Sequence, residues 1–115
     1  MCTALTLKTR NFYFGRTLDL DKSYSEEVVI TPRKFCFYLR NGYTIKTHYA
    51  IIGTAYVKDN FPLYYDAVNE MGLCIAGLNF VNYAYYSKER ESMINVAQFE
   101  FIPYLLSKCA SVRQA

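Results

Sequence analysis

The sequence predicts an α+β fold in which mostly antiparallel strands are followed by one C-terminal helical region. Three observations lead to it. Through the first two thirds of the chain, short segments of alternating or continuous apolar character are separated by turn residues. Only the C-terminal stretch has helical spacing, with Phe99, Ile102, Leu105, Leu106 and Cys109 recurring near i, i+3 and i+4. A composition of 52% hydrophobic and 20% charged residues over 115 positions suits one globular domain with a real core, not a disordered chain.

Each element has its own signal. Thr3-Ala4-Leu5-Thr6-Leu7 alternates in polarity and leads through the polar turn Lys8-Thr9-Arg10-Asn11 into Phe12-Tyr13-Phe14-Gly15, a second strand. Gly15 reads as a bulge or close-approach position. Asp21 to Ser25 is a polar loop, and Glu27–Thr31 is a third strand stopped by Pro32. A fourth strand is expected from Lys34 to Leu39, ending at the Asn41-Gly42 turn. Tyr49 to Thr54 follows as a short apolar strand punctuated by Asn60-Phe61-Pro62, and Tyr64 to Val68 as the next. After the turn Asn69-Glu70-Met71-Gly72, the run Leu73 to Phe80 reads as a strand buried on both faces. Residues 81–94, with Tyr83, Tyr85 and Tyr86, read as surface loop. Pro103 is compatible with the helix only near its first turn. Ser111 resembles an N-cap whose helix is cut off after one turn, which suggests a fragment.

Composition also excludes function classes. A net charge of +3 without a basic block does not suit a nucleic-acid arm. The N-terminus lacks a signal-peptide pattern, and no stretch approaches the ~20 apolar residues of a membrane span. Cys2, Cys36, Cys74 and Cys109 are widely spaced and read as free thiols in a reducing cytoplasm. With no C-x-x-C and one histidine, His48, a metal site is not expected; His48 reads as an ordinary strand or turn residue. Phosphate-loop, nucleophile-elbow, zinc-protease and EF-hand patterns are absent.

The chemistry centres on Cys2. Once Met1 is removed, this residue holds a thiol and a free α-amine together. An α-amine titrates at about 7.7–8.0 in model peptides, so it is a usable base for the thiol. Any residue can follow Met1, however, and a lone cysteine there carries little weight without downstream support. Arg16 and Asp19 lie just after the second strand. If the first two strands form a hairpin, they approach Cys2, Arg16 able to stabilise a thiolate and Asp19 to orient the amine. The commoner fate of such a pair is a solvated surface ion pair. Asn79 ends the apolar run; its amide is either a structural hydrogen-bonding group or a donor to a ligand carbonyl.

Four ordered blocks, Met1-Cys2-Thr3, Phe14 to Asp19, Asn69 to Leu73 and Ala76 to Phe80, together resemble the choloylglycine hydrolase family of N-terminal-nucleophile hydrolases. This family contains bile salt hydrolases and penicillin V acylases. The resemblance runs through Phe99 to Pro103 and on to Ala115. It implies the N-terminal part of an αββα sandwich, with 1–115 forming a single partial domain truncated at its C-terminus. It implies Cys2 as nucleophile and amine base, Arg16 and Asp19 as its partners, and Asn79 in the oxyanion hole. Asparagine at 79 looks more like a bile salt hydrolase than a penicillin V acylase, where tyrosine is usual. Leu18 and Leu20 match an apolar loop that touches the steroid body of the substrate. Lys58, in the second substrate loop (Tyr56 to Phe61), is more polar than the family pattern.

Family members are about three times longer. The absent part is expected to hold a second oxyanion-hole asparagine, a further arginine and much of the second sheet. The resemblance implies no cofactor, a small anionic amphipathic substrate (a glycine- or taurine-conjugated bile salt), no nucleic-acid or membrane partner, and homo-oligomers for the full-length form. The competing readings are a penicillin V acylase-like amidase and an inactive truncated homologue that only binds a ligand or partner.

Overall fold

The computed structural model describes residues 2–115. Among them the order is β1 (Thr3–Lys8), β2 (Phe12–Thr17), β3 (Glu27–Thr31), β4 (Phe37–Tyr38), β5 (Thr44–Ile45), β6 (Ile51–Lys58), β7 (Phe61–Asn69), β8 (Cys74–Ala76) and α1 (Phe101–Lys108). β1 and β2 form a separate hairpin, β3-β6-β7-β8 form a four-stranded sheet, and β4–β5 a two-residue ladder. Every pairing is antiparallel.

The first three strands and the helix follow the sequence expectation, with Pro103 in the first turn of α1. The 81–94 segment is exposed and has neither strand nor helix. Four expectations change. The fourth strand shrinks to Phe37–Tyr38, because Phe35 donates back to the Pro32 carbonyl and the chain turns there. Asn60-Phe61-Pro62 is not a break between strands: Asp59 and Asn60 take φ of 51° and 63° and close a two-residue hairpin. Pro62 then lies inside β7, where β8 does not reach it and no ladder bond is lost on that side. The run Leu73 to Phe80 contributes only three half-buried strand residues, and Leu78 and Phe80 are exposed. Gly15 sits in regular register opposite Leu5, and a Cβ there meets nothing within 4 Å. Ser111 opens a single turn, its carbonyl accepting from Gln114 and Ala115.

The two faces of the main sheet differ. Ile51, Ala55, Tyr64 and Ala67 pack with Phe37, Leu39, Ile45, Leu73, Ile102, Leu106 and Cys109 to make the core beneath α1. The opposite face presents Ile52 from β6 and Val28 and Ile30 from β3, the latter two 73% and 68% exposed. The β1–β2 hairpin lies on this second side, where Phe12 and Phe14 border the same groove as Val28 and Ile52.

Two buried polar side chains tie the helical segment to the rest of the fold. Asn69 Nδ2 donates to the Leu106 and Cys109 carbonyls, at 3.0 and 2.7 Å, satisfying orphan acceptors at the C-terminal end of α1. Its Oδ1 accepts from the Met71 and Leu73 amides and shapes the turn in which Gly72 takes φ of 85°. Glu100, 2% exposed, accepts from the Arg40 amide (2.5 Å) and the Ala97 amide (2.9 Å) at the start of the helical segment. Asn69→Ala strands two carbonyls and two amides in the core. Its expected cost is roughly 2–4 kcal/mol, read as a lower urea midpoint.

Glu70 ties the same turn to its surroundings. The carboxylate accepts from Arg33 Nε at 2.9 Å to both oxygens and from the Ala50 amide at 2.9 Å. These contacts, Arg33 first and then Ala50, hold its pKa down from 4.5 to about 2. A carboxyl depressed in this way contributes stability that is complete above 4.5 and is lost as pH falls through 2. The difference in urea midpoint between the unsubstituted protein and Glu70→Gln should therefore stay constant above pH 4.5 and close between 4.5 and 2.

Candidate active site

The β1–β2 register sets the geometry around Cys2. Thr3 pairs with Thr17 and Ala4 with Arg16. One further step of the register puts Cys2 opposite Leu18 and on the same face of the hairpin as Ala4 and Arg16. Diagonal neighbours of this kind stand roughly 7–8 Å apart, well within the reach of an arginine side chain. Burial follows the alternation: Cys2, Ala4, Phe14, Arg16 and Leu18 are half-buried, whereas Thr3, Leu5 and Thr17 are exposed. The expected hairpin thus brings Cys2 and Arg16 to one face.

Arg16 points from the hairpin into the main sheet. Its side chain is 6% exposed, which excludes a solvated surface pair. Nη2 donates to the Gly77 carbonyl at 2.5 Å, and Nε lies 3.6 Å from Asp66 Oδ2. Nε and Nη1 are buried with no hydrogen-bond partner among the described residues. A buried guanidinium with donor capacity to spare is a strong local source of positive potential for an anion.

Thr17 links the two sides of the hairpin end. Its hydroxyl accepts from the Thr3 amide at 3.1 Å and donates to Asp19 Oδ2 at 3.3 Å. Asp19 is thereby connected to the backbone directly behind Cys2. Leu18 is half-buried and Leu20 is 38% exposed, both in the segment after β2. Asn79 is exposed and lies in irregular chain beyond β8, not at the end of a buried strand. Strand β8 ends at Ala76, the Gly77 carbonyl accepts from Arg16, and Asn79 stands two residues further on. Loss of Met1, on which the free α-amine depends, concerns a residue outside those described.

Asp66, Thr17 and the Gly77 carbonyl were not among the residues singled out from sequence. The only signal for Asp66 is a lone carboxylate in the apolar segment Tyr64 to Val68. Its placement depends on a β-bulge. Thr54 pairs with Asp66 but Ala55 pairs with Tyr64, leaving Tyr65 as an extra residue. Tyr64 and Ala67 therefore both face the core, and Asp66 between them faces the hairpin. Asp66 Oδ1 also lies 3.4 Å from the Thr54 amide that donates to it.

His48, expected as an ordinary strand or turn residue, lies in irregular chain between β5 and β6. It is buried against Phe37, with Nδ1 2.5 Å from the Tyr49 carbonyl and Nε2 2.9 Å from the Phe35 carbonyl. It braces two loops on the helix side of the sheet.

Two concavities flank these elements. A groove of about 480 Å³ runs between hairpin and sheet past Phe12, Phe14, Ile52, Asp66 and Cys74. A larger one, about 730 Å³, is bordered by Phe35, Tyr38, Lys58, Phe61 and Phe99, with neither Cys2 nor Arg16 in its wall. It adjoins the Tyr56 to Phe61 loop. Neither Cys2 nor Arg16 lines the smaller groove either, but its wall contains Asp66, the partner of Arg16.

The close approach of β6 and β7 beside Asp66 requires Gly53. A Cβ there would fall 2.6 Å from Ala67 Cα and collide with the Asp66 carbonyl oxygen. Gly53→Ala should lower the urea midpoint by an amount equivalent to roughly 1–3 kcal/mol, while Gly15→Ala should leave it unchanged or slightly higher.

Over residues 2–115 the sequence matches the linear amide C-N hydrolases of the choloylglycine hydrolase family. It is 51% identical over 114 residues to a bile salt hydrolase/transferase of Lactiplantibacillus plantarum, covering 99% of this chain and 35% of that protein. It is 36% identical over 118 residues to a bile salt hydrolase/transferase of Clostridium perfringens, covering 99% of this chain and 36% of that protein. The structure is similar to a crystal structure of a mutant conjugated bile acid hydrolase from Clostridium perfringens, with a TM-score of 0.89 and 36% identity over 99% of this chain and 36% of that one. The chain therefore spans about a third of the length of the curated relatives it matches.

Proposed function

Because this chain belongs to the choloylglycine hydrolase family, we propose that it carries the nucleophile-bearing part of a bile salt hydrolase that cleaves glycine- or taurine-conjugated bile salts. The observation that supports this most is the buried Arg16 guanidinium, with two nitrogens that make no hydrogen bond among the described residues, on the same hairpin face as Cys2. Bile salt as the substrate class is supported by the bile salt hydrolase/transferases it resembles and by asparagine at 79.

In this reading the Cys2 α-amine, freed by loss of Met1, accepts the thiol proton. The sulfur attacks the amide carbonyl carbon, and the carbonyl electrons move to oxygen, held partly by Asn79. Collapse breaks the C–N bond, and the α-ammonium gives its proton to the departing glycine or taurine amine. The thioester is then opened by water, whose proton passes to the α-amine, releasing the bile acid and restoring the thiol. Arg16 stabilises the thiolate, Asp19 orients the amine, and Leu18 and Leu20 offer apolar surface to the steroid. The reading places the protein in the cytoplasm, supported by four cysteines that form no disulfide among the described residues. No helix among the described residues is long and apolar enough to cross a membrane.

Intact-mass analysis with and without iodoacetamide tests the nucleophile. We expect loss of Met1 and alkylation of Cys2 ahead of the other three thiols. Burial pushes the Cys74 thiol up and shields Cys109, so both are slow competitors. Retained Met1, or a Cys2 no faster than Cys36, counts against the assignment. Substrate class is read by comparing glycocholate with penicillin V: turnover of penicillin V alone would favour the acylase reading.

A further inference from the structure

We propose that Asp66 is a positioning residue for Cys2, holding the Arg16 guanidinium in its buried seat and acting on the sulfur only through that cation. The inference rests on the reading of Cys2 and Arg16 given above.

Arg16 is gripped at two points, the Gly77 carbonyl at Nη2 and Asp66 Oδ2 near Nε. The first is a fixed backbone dipole; the second is a full charge. Asp66 is itself anchored from the sheet, because the Thr54 amide approaches its other oxygen. With the two side chains only 6% and 18% exposed, solvent and salt screen this pair poorly. Removing one member of such a pair leaves the other charge uncompensated in a poorly solvated site, and that charge relocates toward water. For Arg16, relocation means leaving the hairpin face it shares with Cys2.

The fold makes a specific provision for this contact. The extra residue at Tyr65 lets Tyr64 and Ala67 both face the core while Asp66 faces the hairpin side. Gly53 lets β6 come close to the Asp66 backbone where any side chain would push it away. Gly77 extends its carbonyl to the same guanidinium while its amide donates to the Tyr65 carbonyl at the bulge. The bulge and the end of β8 thus converge on Arg16, leaving Nη1 without a partner among the described residues.

A double-mutant cycle read by the rate of Cys2 alkylation with iodoacetamide tests this, with the buried Cys109 reporting on the fold. Asp66→Asn, which keeps the shape and removes the charge, should slow Cys2 about tenfold while Cys109 stays protected. Arg16→Leu should slow it at least as much, and Asp66→Asn should add nothing in the Arg16→Leu background. Asp66→Glu, which restores the charge, should recover part of the rate, and it decides the matter if the Asn variant exposes Cys109. An Asn variant that is folded and as fast as the unsubstituted protein overturns the inference. So does a further slowing by the same factor when Arg16 is absent, or a Glu variant no faster than Asn. In those cases Cys2 selectivity in the unsubstituted protein still supports the nucleophile reading. If Cys2 is not selective even there, that reading fails and the role of Asp66 falls with it.

Discussion

The site depends on one buried cation. The β1–β2 hairpin is a sheet of its own, and Arg16 carries it onto the main sheet through the Gly77 carbonyl and Asp66. Burying a guanidinium is costly unless its surroundings compensate. Those surroundings come from two strands distant in sequence: β7 supplies the carboxylate, and the chain just past β8 the carbonyl. Cys2 therefore has a defined position relative to the sheet only when all three segments are in place.

On the other side of the sheet the same logic serves stability. Asn69 and Glu100 are polar groups enclosed by apolar neighbours, and each spends its hydrogen-bonding capacity on backbone that would otherwise lack partners. The turn following Asn69, one of the blocks that identify the family, is thereby a structural joint between β7, β8 and α1. Its chemistry-like appearance in the sequence reflects the demands of burial. The sheet is consequently two-sided, with a helix-covered face that holds the fold together and a hairpin-covered face that presents Cys2 and Arg16.

Much of this was legible from residue order. The hairpin, the third strand, the exposed tyrosine segment and the helix with Pro103 in its first turn each have a local cause, whether alternation, a turn or an apolar spacing. The misread elements have non-local causes. Pro62 is tolerated because β8 does not extend beside it, so that side of β7 has no ladder bond to lose there. The apolar run after Leu73 gives only Cys74–Ala76 to the sheet, and the Gly77 carbonyl beyond it accepts from a guanidinium sixty-one residues earlier in the chain. In consequence Asn79 stands in exposed irregular chain, and no local pattern distinguishes that from the end of a buried strand.

By itself the sequence determined the family, the α+β class and the pairing that sets Arg16 on the Cys2 face, because a short hairpin is governed by local alternation and its turn. Only the tertiary structure decided which carboxylate meets that arginine. Asp19 is three residues away in sequence, yet the ion pair at Arg16 Nε is made by Asp66, which sits fifty residues away on the hairpin-facing side of the sheet. One unpaired residue in β7 lets Tyr64 and Ala67 both face the core with Asp66 on the other side, and a bulge is a property of two strands in register, which no segment of a single strand encodes.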